Sequence, residues 1–377
     1  MKYYIYLTLL LICAEVQSQI RNPANIAYHF STDTTKRSVD LSEVMVVLPR
    51  ESFPIIDYPK FVGKSEALLS FFRHEPVISV EIGGKAKAYP LNMLTAHEIA
   101  NDTLSGVPIL PTYCPLCNAS AVFDRRIKHK DKDYLLEFEV SGMLRNSDMV
   151  MFDRQTESWW QQLMGEAIVG EMNGAVLTVI PSMVVSVETF FKTYPRGRIL
   201  SKNTGHIGAM TRYGTNPYAK YDTKSTPYSR FFHEEKVDQS LPAMERVVDI
   251  YADGKYRIYP FSEIVPVGVI NDTFRGKDIV IFYQPGMVSV LDEKDITTSR
   301  DIGSVTVFSP IVNGKKYTFG KKGRFFIDDQ TSSKWKISGR CVGGELKGSQ
   351  LVLETYSNHF AFAWMAFHPD SEIYKAK

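Results

Sequence analysis

Short stretches in which apolar and polar residues alternate run along most of this chain, the period expected of strands with one face covered. Residues 77–82 and 85–89 alternate on either side of Gly83-Gly84, a pair suited to the positive φ values of a two-residue hairpin turn. Further strands are predicted at 108–113, 119–124, 134–140 and 149–152, with the charged stretch 128–132 as a hairpin loop. Helical periods are few and short. Thr95 and Glu98 have capping-box spacing and predict a helix ending near Asn101. Short helices are also predicted around Trp159-Trp160 and over 187–193. This pattern argues against a doubly wound parallel sheet. It argues for a β-rich α+β fold, with a closed or half-closed barrel as one way to cover the strands.

The pattern also recurs. Residues 77–91 read VISVEIGGKAKAYPL and residues 247–261 read VVDIYADGKYRIYPF, 170 positions later. The same offset of 170 matches Asn101-Asp102-Thr103 to Asn271-Asp272-Thr273, Tyr113 to Tyr283 and Pro115 to Pro285. At an offset of 175, Asp153, Gln155, Thr156, Ser158 and Trp160 match Asp328, Gln330, Thr331, Ser333 and Trp335. At 174, Gly170 matches Gly344 and Leu177 matches Leu351. These blocks keep their order, which predicts two tandem homologous repeats of about 125 residues packed as a pseudo-symmetric pair. The expected organisation is a signal peptide (1–18), an N-terminal lead (19–76), repeat one (77–200), an aromatic connector (201–246) and repeat two (247–377).

Composition narrows the function classes. Lys plus Arg number 44 and Asp plus Glu 42, so the net charge of +2 leaves no basic footprint for nucleic acid. Lys2 followed by about a dozen apolar residues reads as a cleavable export signal, with cleavage expected after Ser18. Cys13 lacks the small residue before it that a lipid-anchoring signal requires, and no later run is long enough for a transmembrane segment. The expected location is therefore periplasmic or secreted. Three cysteines follow the signal, Cys114, Cys117 and Cys341, in a compartment that permits disulfides.

Comparing the repeats singles out one candidate site. Tyr113-Cys114-Pro115-Leu116-Cys117 becomes Tyr283-Gln284-Pro285-Gly286-Met287, so both thiols are confined to repeat one. His97 becomes Val267, Glu98 becomes Gly268, and Asp148 aligns with Gly323. Two thiols separated by two residues either close a small disulfide or chelate one metal. With His97 as a third ligand, or as a base acting on a thiol, the set leaves one position open for chemistry. Copper, zinc and iron are the metals considered. Asp148 is expected to share in the chemistry, with Glu98, Asn146, Ser147 and Arg154 around it as orienting groups. A redox-active dithiol is the close rival, although 119–124 reads as strand at least as well as the helix a thioredoxin-type site needs. The alternative from another class is a ligand-binding or scaffold protein stapled by a structural disulfide. A hydrolase using Asp148 or Glu98 as general base finds no nucleophile of recognisable spacing. Cys341 aligns with Ala167 and reads as a small buried residue, and Trp160 and Trp335 read as core. The partner expected is a small molecule or a redox protein.

The run Tyr113-Cys-Pro-Leu-Cys117, the segments His97-Glu-Ile-Ala-Asn-Asp102 and Asn146-Ser-Asp148, and Asp153-Arg-Gln-Thr-Glu-Ser-Trp-Trp160 together resemble the DUF3179 family of bacterial proteins. Tyr213-Gly-Thr-Asn-Pro-Tyr218, Glu245-Arg-Val247 and Asp57-Tyr-Pro-Lys-Phe61 fit the same resemblance, which spans about 55–377. The resemblance implies no defined activity. Some relatives are thought to be selenoproteins, which implies thiol-type redox chemistry at a Cys position. The chain departs from the family pattern at Glu51-Ser-Phe-Pro54, and at Leu94-Thr95-Ala96 beside His97.

Overall fold

The structure is a computed structural model that describes residues 30–232 and 236–376. Residues 1–18, read above as a signal peptide, and His233 lie outside the described residues. Strand makes up 42% and helix 14%, so the chain is β-rich as its alternation predicts. The strands form several sheets, each an open series rather than the closed barrel entertained from sequence.

Gly83 and Gly84 adopt φ of 59° and 78° and turn Pro76–Ile82 back onto Lys85–Pro90. This hairpin is the centre of a five-stranded sheet. Ser182–Ser186 pairs on one side; Arg198–Leu200 lies parallel on the other, with Phe61–Val62 beyond it. A second hairpin, Arg246–Ala252 with Lys255–Pro260, turns on Asp253 and Gly254 and has the same surroundings. Asn358–Phe360 pairs antiparallel on one side and Glu372–Ile373 parallel on the other. Each hairpin leads into a seven-residue helix, Leu91–His97 or Phe261–Val267, entered through Pro90 or Pro260. The first helix starts before Thr95. The Thr95 hydroxyl donates to the Leu91 carbonyl inside the helix instead of capping it, and Asn101 lies on the strand Ala100–Leu104.

Side-chain bonds recur between the halves as well. Tyr89 donates to Asp102 as Tyr259 does to Asp272. Trp160 Nε1 donates to Asp153 at 2.9 Å, and Trp335 Nε1 to Asp328 at 2.9 Å. Ala167 sits opposite Trp160 and Cys341 opposite Trp335, which explains why Cys341 is a small buried side chain.

The region of Trp159-Trp160 is a strand, Trp159–Gln161, and not the helix expected. Its sheet is covered on both faces. Trp159 packs with Val44 and Phe152, while Trp160 joins the main core, so consecutive apolar residues are buried without helical periodicity. The helix Val187–Thr193 forms as predicted, with the Ser186 hydroxyl accepting from the Thr189 amide. One continuous hydrophobic core includes residues from Ile55 to Met365 and joins both halves.

Candidate thiol and carboxylate centre

Two hairpin turns build the site. Cys114 ends the strand Val107–Cys114, and Ala119–Asp124 returns beside it with Ala119 opposite Cys114. Pro115 to Asn118 form the turn, closed by the Asn118 amide donating to the Pro115 carbonyl at 3.2 Å. Asn118 takes a left-handed φ of 50°, a conformation Asn tolerates better than most side chains. The turn brings Cys117 back against Cys114, and no helix follows it. The second turn, Asn146-Ser147, has φ of 49° and 64° and joins Phe138–Arg145 to Asp148–Asp153. Asp148 thus starts its strand at the end of the sheet that faces the first turn.

Both thiols and one Asp148 carboxylate oxygen lie within 4.8 Å of one another, and all three residues are buried. Asp148 Oδ2 accepts from Gln161 Nε2 at 2.6 Å and from the Leu163 amide at 2.9 Å. Its Oδ1 is buried with no partner. The Cys114 thiol approaches the Ser147 carbonyl at 3.7 Å. Neither thiol is in a disulfide. The turn is also held by distant parts of the chain: Tyr221 donates to the Leu116 carbonyl at 3.0 Å, and the Phe360 amide to the Cys117 carbonyl at 2.9 Å.

Burial controls the charges. It pushes Asp148 up to about 6, against the lowering effect of the Leu163 and Gln161 hydrogen bonds. Both thiols are held above the ordinary cysteine value, first by burial; Asp148 adds to this at each. Glu98 is pushed to about 8 by burial and then by the negative charge of Asp148. Glu98 ends its helix with a left-handed φ of 60°, where the second helix ends on Gly268 at 72°. A left-handed glutamate carries backbone strain that glycine avoids.

Glu98 and Leu116 also line an open cavity of about 480 Å³, with Met45, Leu48, Met143 and Phe231 among its apolar walls. Leu116 lies between the two cysteines in the chain, and Met149, also in the wall, directly follows Asp148.

A family model for a protein of unknown function, DUF3179, matches residues 50–371, nearly the whole chain. The chain belongs to the DUF3179 family. No curated protein and no solved structure matches it. Among the described residues of this DUF3179 protein, no helix is long and apolar enough to cross a membrane.

Of the residues singled out by sequence, Cys114, Cys117, Asp148 and Glu98 come together. His97 does not join them. Its Nδ1 faces the Pro54 carbonyl, to which it must donate, leaving Nε2 to accept from the Tyr213 hydroxyl. Burial holds His97 down to about 4, so the ring is neutral and serves as a strut between the lead and the connector. Arg154 is also elsewhere, in ion pairs with Asp57, Glu137 and Glu139 at 2.7, 3.2 and 2.5 Å. Asn146 and Ser147 act through the turn they form; the Ser147 hydroxyl donates to the Phe231 carbonyl at 3.2 Å. Sequence reasoning missed Gln161, which holds Asp148. Its signal was present, since Gln161 stands opposite Lys336 at the same offset of 175 that keeps Asp, Thr, Ser and Trp unchanged.

Proposed function

We propose that this DUF3179 protein is an exported metalloprotein that holds one soft transition-metal ion on Cys114, Cys117 and Asp148. The reading rests on Asp148, whose Oδ1 is buried with no hydrogen-bond partner and one of whose carboxylate oxygens lies within 4.8 Å of both free thiol sulfurs. Such an oxygen is costly to bury unpaired, and a cation bridging it to two thiolates relieves that cost. Two thiolates and a carboxylate suit zinc or copper better than magnesium or calcium. Three protein ligands leave a coordination position open, the arrangement of a reactive rather than a purely structural site. We read the molecule as two copies of one unit, on the support of the recurring hairpins and Asp–Trp bonds, with the metal site retained in the first copy. The export signal read from residues 1–18 belongs to the same proposal.

A redox dithiol is the second reading, supported by the two adjacent free thiols. It is the weaker of the two because a partner must reach a thiolate. These thiols are at most 1% exposed and have raised pKa values. The test is metal analysis of the full chain purified without chelator, together with thiol titration. Stoichiometric metal is expected in the wild type and its loss in Cys114→Ser. Metal-free protein with Cys114 and Cys117 oxidised would replace the metal reading with the redox one.

A further inference from the structure

The cavity beside the thiol turn is walled by Met45, Leu48, Met143, Leu144, Met149 and Phe231, yet it is not uniformly apolar. Glu98 and Arg230 are its charged lining residues. Glu98 is 8% exposed, and its carboxyl has no hydrogen bond among the described residues. It also occupies a strained left-handed backbone position that the second half of the chain fills with Gly268. A largely buried carboxyl on a strained backbone position in a cavity wall is the kind of group retained for a ligand. Arg230 is exposed, and its guanidinium lies over the Phe231 ring at 4.4 Å. No carboxylate of the described residues pairs with it.

We infer that this cavity is the substrate pocket of the thiol and carboxylate centre, and that it takes a small amphiphile with an apolar body and a terminal carboxylate. The inference rests on the metal-site reading above for its assignment to that centre. The size fits, since small-molecule pockets of 300–1,000 Å³ are typical and this one is about 480 Å³. The methionines and branched residues offer an adaptable apolar wall. The cation of Arg230 attracts a carboxylate, and the Glu98 carboxyl, when protonated, donates to an oxygen acceptor. Leu116 and Met149 place the occupant against both turns that carry the metal ligands.

The test uses the purified full chain, the fluorescent probe N-phenyl-1-naphthylamine, and decanoate and decanol as competitors. Saturable one-to-one probe binding is expected, with decanoate displacing the probe better than decanol. Arg230→Glu is expected to weaken decanoate about tenfold while leaving decanol unchanged, because it replaces attraction with repulsion at an exposed site. Met143→Trp, which fills the cavity, is expected to weaken both competitors. Arg230→Glu should fold normally, so the test survives a folding defect in Met143→Trp. Absence of saturable binding, or equal displacement by decanoate and decanol in wild type and Arg230→Glu, would overturn the pocket. Metal content is measured on the same samples. Lost ligand binding with metal retained removes the pocket alone, and ligand binding without any metal removes the metalloprotein reading alone.

Discussion

Asp148 is the residue on which the site depends. Its strand places it, Gln161 and the Leu163 amide fix one oxygen, and the other is buried with no partner. Metal uptake must displace the protons that burial holds on Asp148, up to about 6, and on both thiols, which are raised further above neutral. Acid therefore competes with the metal, and affinity is expected to rise with pH through 6 and above. Gln161→Ala frees the carboxylate to rotate and is expected to weaken metal affinity by roughly 10–100-fold at constant pH. Competition titration against a chelator across the pH range checks both, and a flat profile would contradict the coordination. The two cysteines and Asp148 were legible in sequence because the second half of the chain lacks them. His97 was misplaced for the same reason. It too differs between the halves, but it sits at the far end of a helix, where the Pro54 carbonyl and the Tyr213 hydroxyl occupy its ring nitrogens.

Among elements, turns carry more of the architecture than helices do. The Cys114–Cys117 segment is a hairpin turn and not a helix start, which removes the helix dipole that lowers a thioredoxin-type thiol pKa. Strands bounded by Gly-Gly and by the Cys-Pro turn were legible, since alternation and turn residues agree there. Trp159-Trp160 was not, because a strand covered on both faces has no alternation to read. The strand Phe138–Arg145 contains a further turn device. Gly142 adopts φ of +77° at a break in register between Val140 and Met143, and the amides of Val47 and Leu48 donate to its carbonyl. A Cβ there would lie 2.2 Å from the Leu48 carbonyl oxygen. Gly142→Ala combines a left-handed penalty with displacement of the chain that follows Val44–Val46 along the cavity wall. It is expected to destabilise the protein by about 2–4 kcal/mol in chemical denaturation. A loss below about 0.5 kcal/mol would show that this wall is not held as described.

At the scale of the molecule, the two halves share one core, and the connector and second half reach into the first. Tyr221 and Phe360 each hold a backbone carbonyl of the cysteine turn, so the second half supports a site it does not itself possess. The recurrence of motifs predicts such a division from the sequence. The contact across it was not visible, because Phe360 lies 243 positions after Cys117 and nothing local marks the pairing. The cavity was likewise out of reach, since its walls come from segments far apart in the chain, from Met45 to Phe231. The central claim is that two thiolates and the Asp148 carboxylate bind one metal ion. X-ray absorption on metal-loaded full-length protein tests it most directly. The expected spectrum has two sulfur scatterers, near ~2.3 Å if the ion is zinc, and at least one oxygen scatterer near ~2.0–2.2 Å, with that oxygen contribution altered in Asp148→Ala. A metal surrounded only by oxygen and nitrogen, or a spectrum unchanged in Asp148→Ala, would contradict it.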